Sequence, residues 1–353
     1  MSTLKRTFII AGLLTTAIII RPMLGKAGTP DVWQEMASLP APTAAFQDSE
    51  FAGTQGLNMF FNNGYAYVFP GCDNTSSNWE NDIYYAQIQP NGMIDSWSTQ
   101  PVTPDFWRLY FQQMVVKAGD HVYLVTGADG AMDVMYAPIS ADGSIGSWSY
   151  TSYLDPSRQT HAIATNGDYI YSIAGNSGGI RDFVEYATIN SDGSLSAWQY
   201  TKPTPVPMQS HAAAIYDDVL YAVEPGTGNT YYSKINPTDG SLSDWSATEQ
   251  VPGEPTRYAL VATNNRLFLI GGTGGPNTDV YTAYIKSDGS LCPWQETDPL
   301  PEGRYGLFAG ADGRYIYIAG GLDKDTRNYT DTVYRAKTAQ LQRPPACPNP
   351  SGK

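Results

Sequence analysis

The sequence is poor in the residue types from which many catalytic and metal sites are built. Its 353 residues include only three cysteines and three histidines, and 16% of them are charged. Lysine and arginine number 21 against 34 aspartates and glutamates, so the net charge is −13. Nucleic acids and anionic membranes attract proteins through a basic field. Neither is therefore expected as a partner of the main body of the chain.

Catalytic motifs are also missing. The chain contains no Gly-x-Ser-x-Gly elbow, no His-Glu-x-x-His pair and no phosphate-binding loop. The histidines, His121, His161 and His211, are too few and too scattered for a metal centre. We expect no metal and no cofactor, and the sequence identifies no catalytic residue. No stretch shows a clean helical apolar period, whereas glycine (34), proline (25) and tyrosine (25) are plentiful, which favours short strands and turns.

Residues 1–27 have the pattern of a secretory signal peptide. Lys5 and Arg6 precede the apolar run Phe8–Ile20, and a small-x-small cleavage site follows at Gly25-Lys26-Ala27. The run is shorter than the roughly 20 residues that a membrane-spanning helix needs. A cleaved signal is favoured over an anchor formed by residues 7–20. The predicted location is extracellular: secreted, or at the cell surface or in the periplasm.

A seven-residue segment ending in tryptophan recurs about every fifty residues, the length of a four-stranded propeller blade. Its copies are Asn91–Trp97, Asp142–Trp148, Asp192–Trp198, Asp239–Trp245 and Asp288–Trp294. Four of them begin with Asp-Gly, which between two strands predicts a hairpin turn because glycine accepts a positive φ. A calcium loop would need several carboxylates at fixed spacing, and only one acidic residue recurs.

Counting the repeats predicts an all-β, six-bladed β-propeller over residues 30–338. The last unit, from Arg304 to Lys337, has no tryptophan after it. An isolated Trp33 lies near the start of the chain. It precedes Leu39-Pro40 at the same spacing at which Trp294 precedes Leu300-Pro301. We therefore expect the Trp33 segment to supply the outer strand of the sixth blade, which closes the ring and removes two exposed sheet edges. Residues 339–353 are predicted to form a flexible tail.

The repeats resemble those of the kelch family. An apolar strand ends in a glycine pair at Gly271-Gly272 and Gly320-Gly321, an aromatic strand and the tryptophan follow, and one unit continues with Pro156, Arg158 and His161. In repeat pattern and blade number the chain is also similar to kelch-type sialic acid mutarotases. That resemblance implies a pocket for an anionic sugar at the axial funnel.

The candidate binding residues lie where the innermost strands begin. A guanidinium can hold a carboxylate with two hydrogen bonds, and aromatic faces stack on sugars. Each arginine has an alternative role, hydrogen bonding to loop carbonyls of the next blade, and each histidine an alternative role as a cap on a neighbouring blade. The candidates are Arg108, Arg158, Arg257 and Arg304, with Trp107, Tyr258 and Tyr305 beside them and His161 and His211 at matching positions in adjacent blades.

A disulfide between Cys292 and Cys347 is the favoured cysteine pairing. Both are expected at the same face of the propeller, whereas Cys72 is expected at the opposite face. The alternative, three free thiols, stays open because sequence does not determine connectivity.

Two functions fit these features. The first is an exported, non-enzymatic propeller that binds a protein or glycan at the cell surface through its loop-bearing face. The second is a carbohydrate-active enzyme of mutarotase or lyase type that acts on an anionic sugar at the axial funnel. The lack of a recognisable acid–base pair favours the binding protein.

Overall fold

The computed structural model describes residues 32–40, 43–44, 59–69, 72–73, 82–101, 114–125, 132–323, 325–326, 328–344 and 347. The predicted signal peptide, residues 1–27, lies outside the described residues. The described chain begins with β1 (Trp33–Glu35) and the two-residue strand β2 (Thr43–Ala44).

Six antiparallel four-stranded sheets form the blades of a six-bladed β-propeller. Each blade runs from its innermost to its outermost strand. Blade one consists of β3 (Met59–Asn62), β4 (Tyr65–Val68), β6 (Asp82–Gln87) and β7 (Ser98–Pro101), and β5 (Cys72–Asp73) pairs with β2. Blade two consists of β8 (Met114–Ala118), β9 (His121–Val125), β10 (Val134–Pro138) and β11 (Ser149–Tyr150). Blade three consists of β12 (Ala162–Thr165), β13 (Tyr169–Asn176), β14 (Ile180–Thr188) and β15 (Gln199–Thr201).

The remaining three blades repeat this order. Blade four consists of β16 (Ala212–Tyr216), β17 (Val219–Val223), β18 (Thr230–Lys234) and β19 (Ser246–Ala247). Blade five consists of β20 (Ala259–Thr263), β21 (Arg266–Ile270), β22 (Val280–Tyr284) and β23 (Gln295–Glu296). Before blade six, β24 (Arg304–Tyr305) pairs with β27 (Leu322–Asp323). Blade six itself consists of β25 (Phe308–Ala311), β26 (Tyr315–Ala319), β28 (Val333–Lys337) and β1.

The predicted ring closure is confirmed. Strand β1 pairs antiparallel with β28, with Trp33 opposite Ala336. The indole N–H of Trp33 donates a 3.1 Å hydrogen bond to the carbonyl oxygen of Asp298, just after the outermost strand of blade five. Trp245 and Trp294 donate in the same way to Lys202 and Glu249 of their preceding blades. Trp33 therefore occupies the same position in blade six that the repeat tryptophans occupy in other blades.

The hydrophobic core lies between neighbouring blades. Large aromatic side chains of the second strands, such as Tyr171 and Tyr221, are fully buried there. The third strand of blade three contributes the small residue Ala187, which is also buried and lets the sheets approach. Fully burying one large apolar side chain stabilises the fold by about 1.5–3 kcal/mol. The repeated aromatic and small positions therefore account for much of the stability of the ring.

The Asp-Gly segments form tight turns between third and fourth strands. In blade two, the Asp142 carboxylate accepts hydrogen bonds from the backbone N–H of Ser144 at 3.0 Å and from its hydroxyl at 2.7 Å. These bonds lower the pKa of Asp142. Gly143 has a φ of 86° and lies against the ring of Tyr65, where a Cβ atom would approach ring carbons within 3 Å. The turn thus needs glycine both for its backbone angle and for this close approach.

Residues 339–344, the start of the predicted tail, pack on the propeller. Helix α1 (Thr338–Leu341) ends in Leu341, which is fully buried. Arg343 forms an ion pair of 2.8 Å with Asp298. A disulfide joins Cys292 to Cys347, with 5.5 Å between their Cα atoms, and this is the pairing that the sequence favours. In the described part of the chain, no helix has the length and apolar character that crossing a bilayer would require.

Candidate functional site

The propeller has two faces that differ in the segments they carry. The loop face carries the segments before the first strands, with the candidate arginines, and the glycine-rich loops after the second strands. The turn face carries the hairpin turns between first and second strands and the Asp-Gly turns.

Arg158 lies on the loop face but is almost completely buried. Its guanidinium forms an ion pair with the Glu185 carboxylate, donates a 3.2 Å hydrogen bond to the carbonyl oxygen of Phe183, and lies 4.4 Å from the centre of the Phe183 ring. Burial lowers the pKa of Arg158 to about 9, and the nearby Tyr200 hydroxyl opposes that shift, so the side chain is charged at neutral pH. The guanidinium therefore contacts residues of its own blade and does not line an open axial funnel.

Arg304 has a similar position in blade six. One terminal nitrogen donates to the carbonyl oxygens of Gly320 and Thr332, at 3.1 and 3.4 Å, and the other reaches the Thr332 hydroxyl and the Glu302 carboxylate, at 2.8 and 3.0 Å. Its side chain is 1% exposed. The sequence suggests, as an alternative role, that these arginines hydrogen-bond to loop carbonyls of the next blade. Arg304 and Arg158 instead hydrogen-bond to groups of the blades that they begin.

The two histidines lie at the loop-face ends of neighbouring first strands, and both are fully buried. Nδ1 of His161 is 3.0 Å from the carbonyl oxygen of Arg158. Nε2 of His161 and both ring nitrogens of His211 have no hydrogen-bond partner among the described residues. Burial lowers the pKa of each ring to about 3, and for His161 the charge of Arg158 adds to the effect. Both rings are therefore neutral at physiological pH.

Of the candidate residues of blades five and six, only Arg257 is partly accessible to solvent. Tyr258 is fully buried and donates a 2.7 Å hydrogen bond to the carbonyl oxygen of Val223 in blade four. Arg257 is half-buried, and its guanidinium lies 5.6 Å from the centre of the Tyr305 ring, which is itself 5% exposed. Of the three candidate arginines among the described residues, Arg257 is the most open to solvent.

Two of the predicted binding residues, Trp107 and Arg108, lie outside the described residues. Within the part of the chain that the structure describes, no three histidine, cysteine, aspartate or glutamate side chains lie close enough together to hold a metal ion.

Exposed tyrosines on blades two and three were not predicted from the sequence. Five large hydrophobic side chains are exposed among the described residues, and all lie in blades two and three or the segments that follow their strands: Met132, Tyr150, Tyr153, Ile180 and Tyr200. A signal was present, because Tyr150 and Tyr200 each follow the repeat tryptophan by two positions. The corresponding residues of other blades include Thr99, Ala247 and Glu296.

Tyr200 and Tyr153 both lie near the contact between blades two and three. The indole N–H of Trp198 donates a 3.1 Å hydrogen bond to the carbonyl oxygen of Ser152, the neighbour of Tyr153. Because side chains alternate along a strand, Tyr200 lies on the same face of its blade as Trp198. Its ring contacts the Phe183 ring edge-on, with 5.8 Å between the ring centres. Phe183 in turn packs on Arg158, so the exposed tyrosine is supported by the buried ion pair.

A small cleft opens in the loops of blade five. Its volume is about 170 Å³, and it is lined by residues that include Pro252–Pro255, Gly271–Asn277 and Asp279. Gly274 has a φ of 104°, and a Cβ atom there would collide with the carbonyl oxygen of Glu254. Glycine is therefore required for these loops to pack against each other.

Comparison with known proteins identifies the fold alone. No family model and no curated protein matches the sequence. Of 851 matching chains of solved structures, that of YjhT is similar with a TM-score of 0.61 and 15% sequence identity, over 85% of this chain and 96% of that chain. At this identity the match supports the β-propeller architecture, and so wide a set of matches does not select one function.

Proposed function

We propose that this chain is an exported, non-enzymatic β-propeller that binds a protein or a glycan at the cell surface through its loop face. The observation that carries this proposal is the confinement of the exposed large hydrophobic side chains of the described residues to blades two and three. Met132, Tyr153 and Ile180 lie in or beside loop-face segments, and Tyr150 and Tyr200 lie on the outermost strands that lead towards that face. Three of them are tyrosines. A tyrosine offers an apolar ring for stacking and a hydroxyl for hydrogen bonding, a combination common where proteins and sugars are recognised.

The support beneath these tyrosines favours a preformed site. Tyr200 rests on Phe183, and Phe183 rests on the guanidinium of Arg158, whose ion pair with Glu185 is buried. A side chain held in this way loses less conformational entropy on binding than a mobile one. The buried Arg158 thus serves to position Tyr200 on the surface that is proposed to contact the ligand.

Export and family are part of the same proposal. Residues 1–27 have the composition of a signal peptide, and the Cys292–Cys347 disulfide is of a kind that persists in oxidising compartments. The glycine pairs, the repeat tryptophans and the Pro-x-Arg segment support placing the repeats in the kelch family.

The binding function can be tested with the mature chain on a glycan array and in cross-linking to intact cell-envelope proteins. We expect saturable binding of one ligand. The double variant Tyr153→Ala/Tyr200→Ala should bind that ligand at least about tenfold more weakly, as is common when central aromatic residues of a binding site are removed. Glu296→Ala is the matched control, since Glu296 is exposed and has the register of Tyr200 in blade five. Equal binding by the tyrosine variant and the control would refute the role of this surface.

The half-buried Arg257 beside Tyr305 favours a second candidate, a mutarotase or lyase that acts on an anionic sugar at the axial funnel. Exchange of sugar anomers, followed by NMR, tests it. Accelerated exchange that disappears in Arg257→Ala would establish the enzyme. Arg257 is preferable to Arg158 or Arg304 for this test, because loss of a fully buried guanidinium would also destabilise the fold.

A further inference from the structure

We propose that the turn-face end of the propeller axis is a binding site for a small carboxylate with an apolar body. A cavity of about 220 Å³ lies there, and every one of the six first strands contributes to its wall. It lies at the end of these strands opposite the buried histidines. The site is therefore independent of the loop face and of the function proposed for that face.

One register position of the first strands forms the mouth of the cavity. In each blade, the residue at this position pairs with the second-strand residue that comes just before the buried aromatic side chain. Its own side chain is half-buried in each blade, and the residue before it in the first strand is buried. The six residues at this position, in blade order, are Phe61, Lys117, Thr165, Ile215, Ala262 and Ala311. All six line the cavity. The repeat thus places six side chains in a ring, and their identities determine what fits.

Small side chains on one side of the ring leave room for a ligand. Ala262, Ala311 and Gly310 line the part of the wall formed by blades five and six, whereas Phe61 lines the part formed by blade one. An apolar protein cavity of about 150 Å³ accommodates benzene. The cavity at the propeller axis, about 220 Å³, is larger than that benzene site. The extra volume can hold a carboxylate group attached to such a ring, or the whole cavity can hold a short aliphatic acid of similar size.

Lys117 supplies the charge that selects an anion. Among the described residues that line the cavity, it is the only one with an ionisable side chain. Among the described residues, none forms a hydrogen bond or ion pair with its ammonium group. Partial burial lowers the pKa of Lys117, and Asp120, which follows it in the turn, opposes that shift. Burial deprives the Lys117 ammonium group of hydrogen bonds to water, and a bound carboxylate would accept hydrogen bonds from it instead.

The rest of the wall argues for an apolar ligand body. The Thr165 hydroxyl already donates a 2.8 Å hydrogen bond to the carbonyl oxygen of Tyr169 and accepts one of 3.0 Å from the backbone N–H of Gly167. The other side chains of the described residues that line the cavity are apolar. The described side chains of the wall therefore offer the hydroxyl groups of a sugar few hydrogen-bond partners, which disfavours a sugar.

The test measures binding of benzoate and of the uncharged benzyl alcohol to the mature protein by ligand-observed NMR titration. Benzoate should bind saturably, and Lys117→Met should weaken it about tenfold or more while leaving benzyl alcohol unchanged. Lys234→Met is the matched control, because Lys234 is exposed on the third strand of blade four. A filled variant, Ala311→Leu, should weaken both compounds.

Three results would overturn the assignment. They are absence of saturable benzoate binding, equal benzoate affinity in Lys117→Met and wild type, and unchanged binding of both compounds in Ala311→Leu. Thermal unfolding of each variant shows whether it is folded. Both substitutions replace half-buried residues at the mouth of the cavity, so we expect folded proteins.

Discussion

The hydroxyl group of Tyr317 donates a 3.1 Å hydrogen bond to the carbonyl oxygen of Gly92, which lies 225 residues earlier in the chain. The same bond joins four other pairs of neighbouring blades, from a second-strand tyrosine to the glycine of the next Asp-Gly turn: Tyr67 to Gly143, Tyr123 to Gly193, Tyr171 to Gly240 and Tyr221 to Gly289. Blade five has Phe268 at this position. Its neighbour, blade six, has no such turn, because its fourth strand comes from the start of the chain.

These tyrosine bonds should contribute measurably to stability. Tyr171→Phe removes the hydroxyl and leaves the buried carbonyl of Gly240 without its donor, so we expect the free energy of unfolding to fall by about 1–3 kcal/mol in urea denaturation. Phe268→Tyr is the control, since blade six has no equivalent turn whose carbonyl oxygen could accept a hydrogen bond from the new hydroxyl group. It should not stabilise the protein. A gain in stability from Phe268→Tyr would contradict this explanation of the missing hydroxyl.

The fold was predictable because its determinants repeat. The tryptophan period, the Asp-Gly turns and the isolated Trp33 each depend on local chemistry that sequence displays, and together they specify six blades and their closure. The roles of Arg158 and Glu185 were not predictable in the same way. Glu185 has the register that Tyr231, Tyr281 and Tyr334 have in later blades. Only the folded blade shows that it meets Arg158, which precedes the first strand of the same blade.

Loss of the closing strand's tryptophan should destabilise the whole ring. Trp33 is 4% exposed, packs between blades five and six, and donates to Asp298. Trp33→Ala should lower the free energy of unfolding by about 3–5 kcal/mol, as is usual for a buried tryptophan. Trp245→Ala, in the same register but more exposed, should cost less. Equal losses would indicate that closure adds nothing beyond an ordinary blade contact.

The buried histidines predict instability in acid. Their folded-state pKa of about 3 lies below the ordinary value of 6.5, so the folded protein keeps both rings neutral. Above pH 6.5 the rings are neutral in both states and have no effect. As pH falls from 6.5 towards 3, the unfolded chain binds protons that the folded chain does not, and stability decreases by about 1.4 kcal/mol per pH unit for each histidine.

Urea denaturation at pH 7 and pH 5 of wild type and His211→Phe checks this prediction. The variant keeps a ring of similar shape and loses one of the two acid-sensitive groups, so its stability should fall less steeply between the two pH values. An unchanged difference between pH 7 and pH 5 would show that His211 is protonated alike in both states.

The ion pair between Arg158 and Glu185 should stabilise the fold because each buried charge neutralises the other. Both side chains are at most 3% exposed, so Glu185→Gln leaves a buried guanidinium without its counter-charge and should cost about 3–5 kcal/mol of stability. Blade four offers a natural replacement, with Met208 in the position of Arg158 and Tyr231 in that of Glu185. The double variant Arg158→Met/Glu185→Tyr should therefore be more stable than Glu185→Gln, as measured by urea denaturation. If the double variant were the less stable of the two, the pair would contribute through its geometry and not through mutual neutralisation of buried charge.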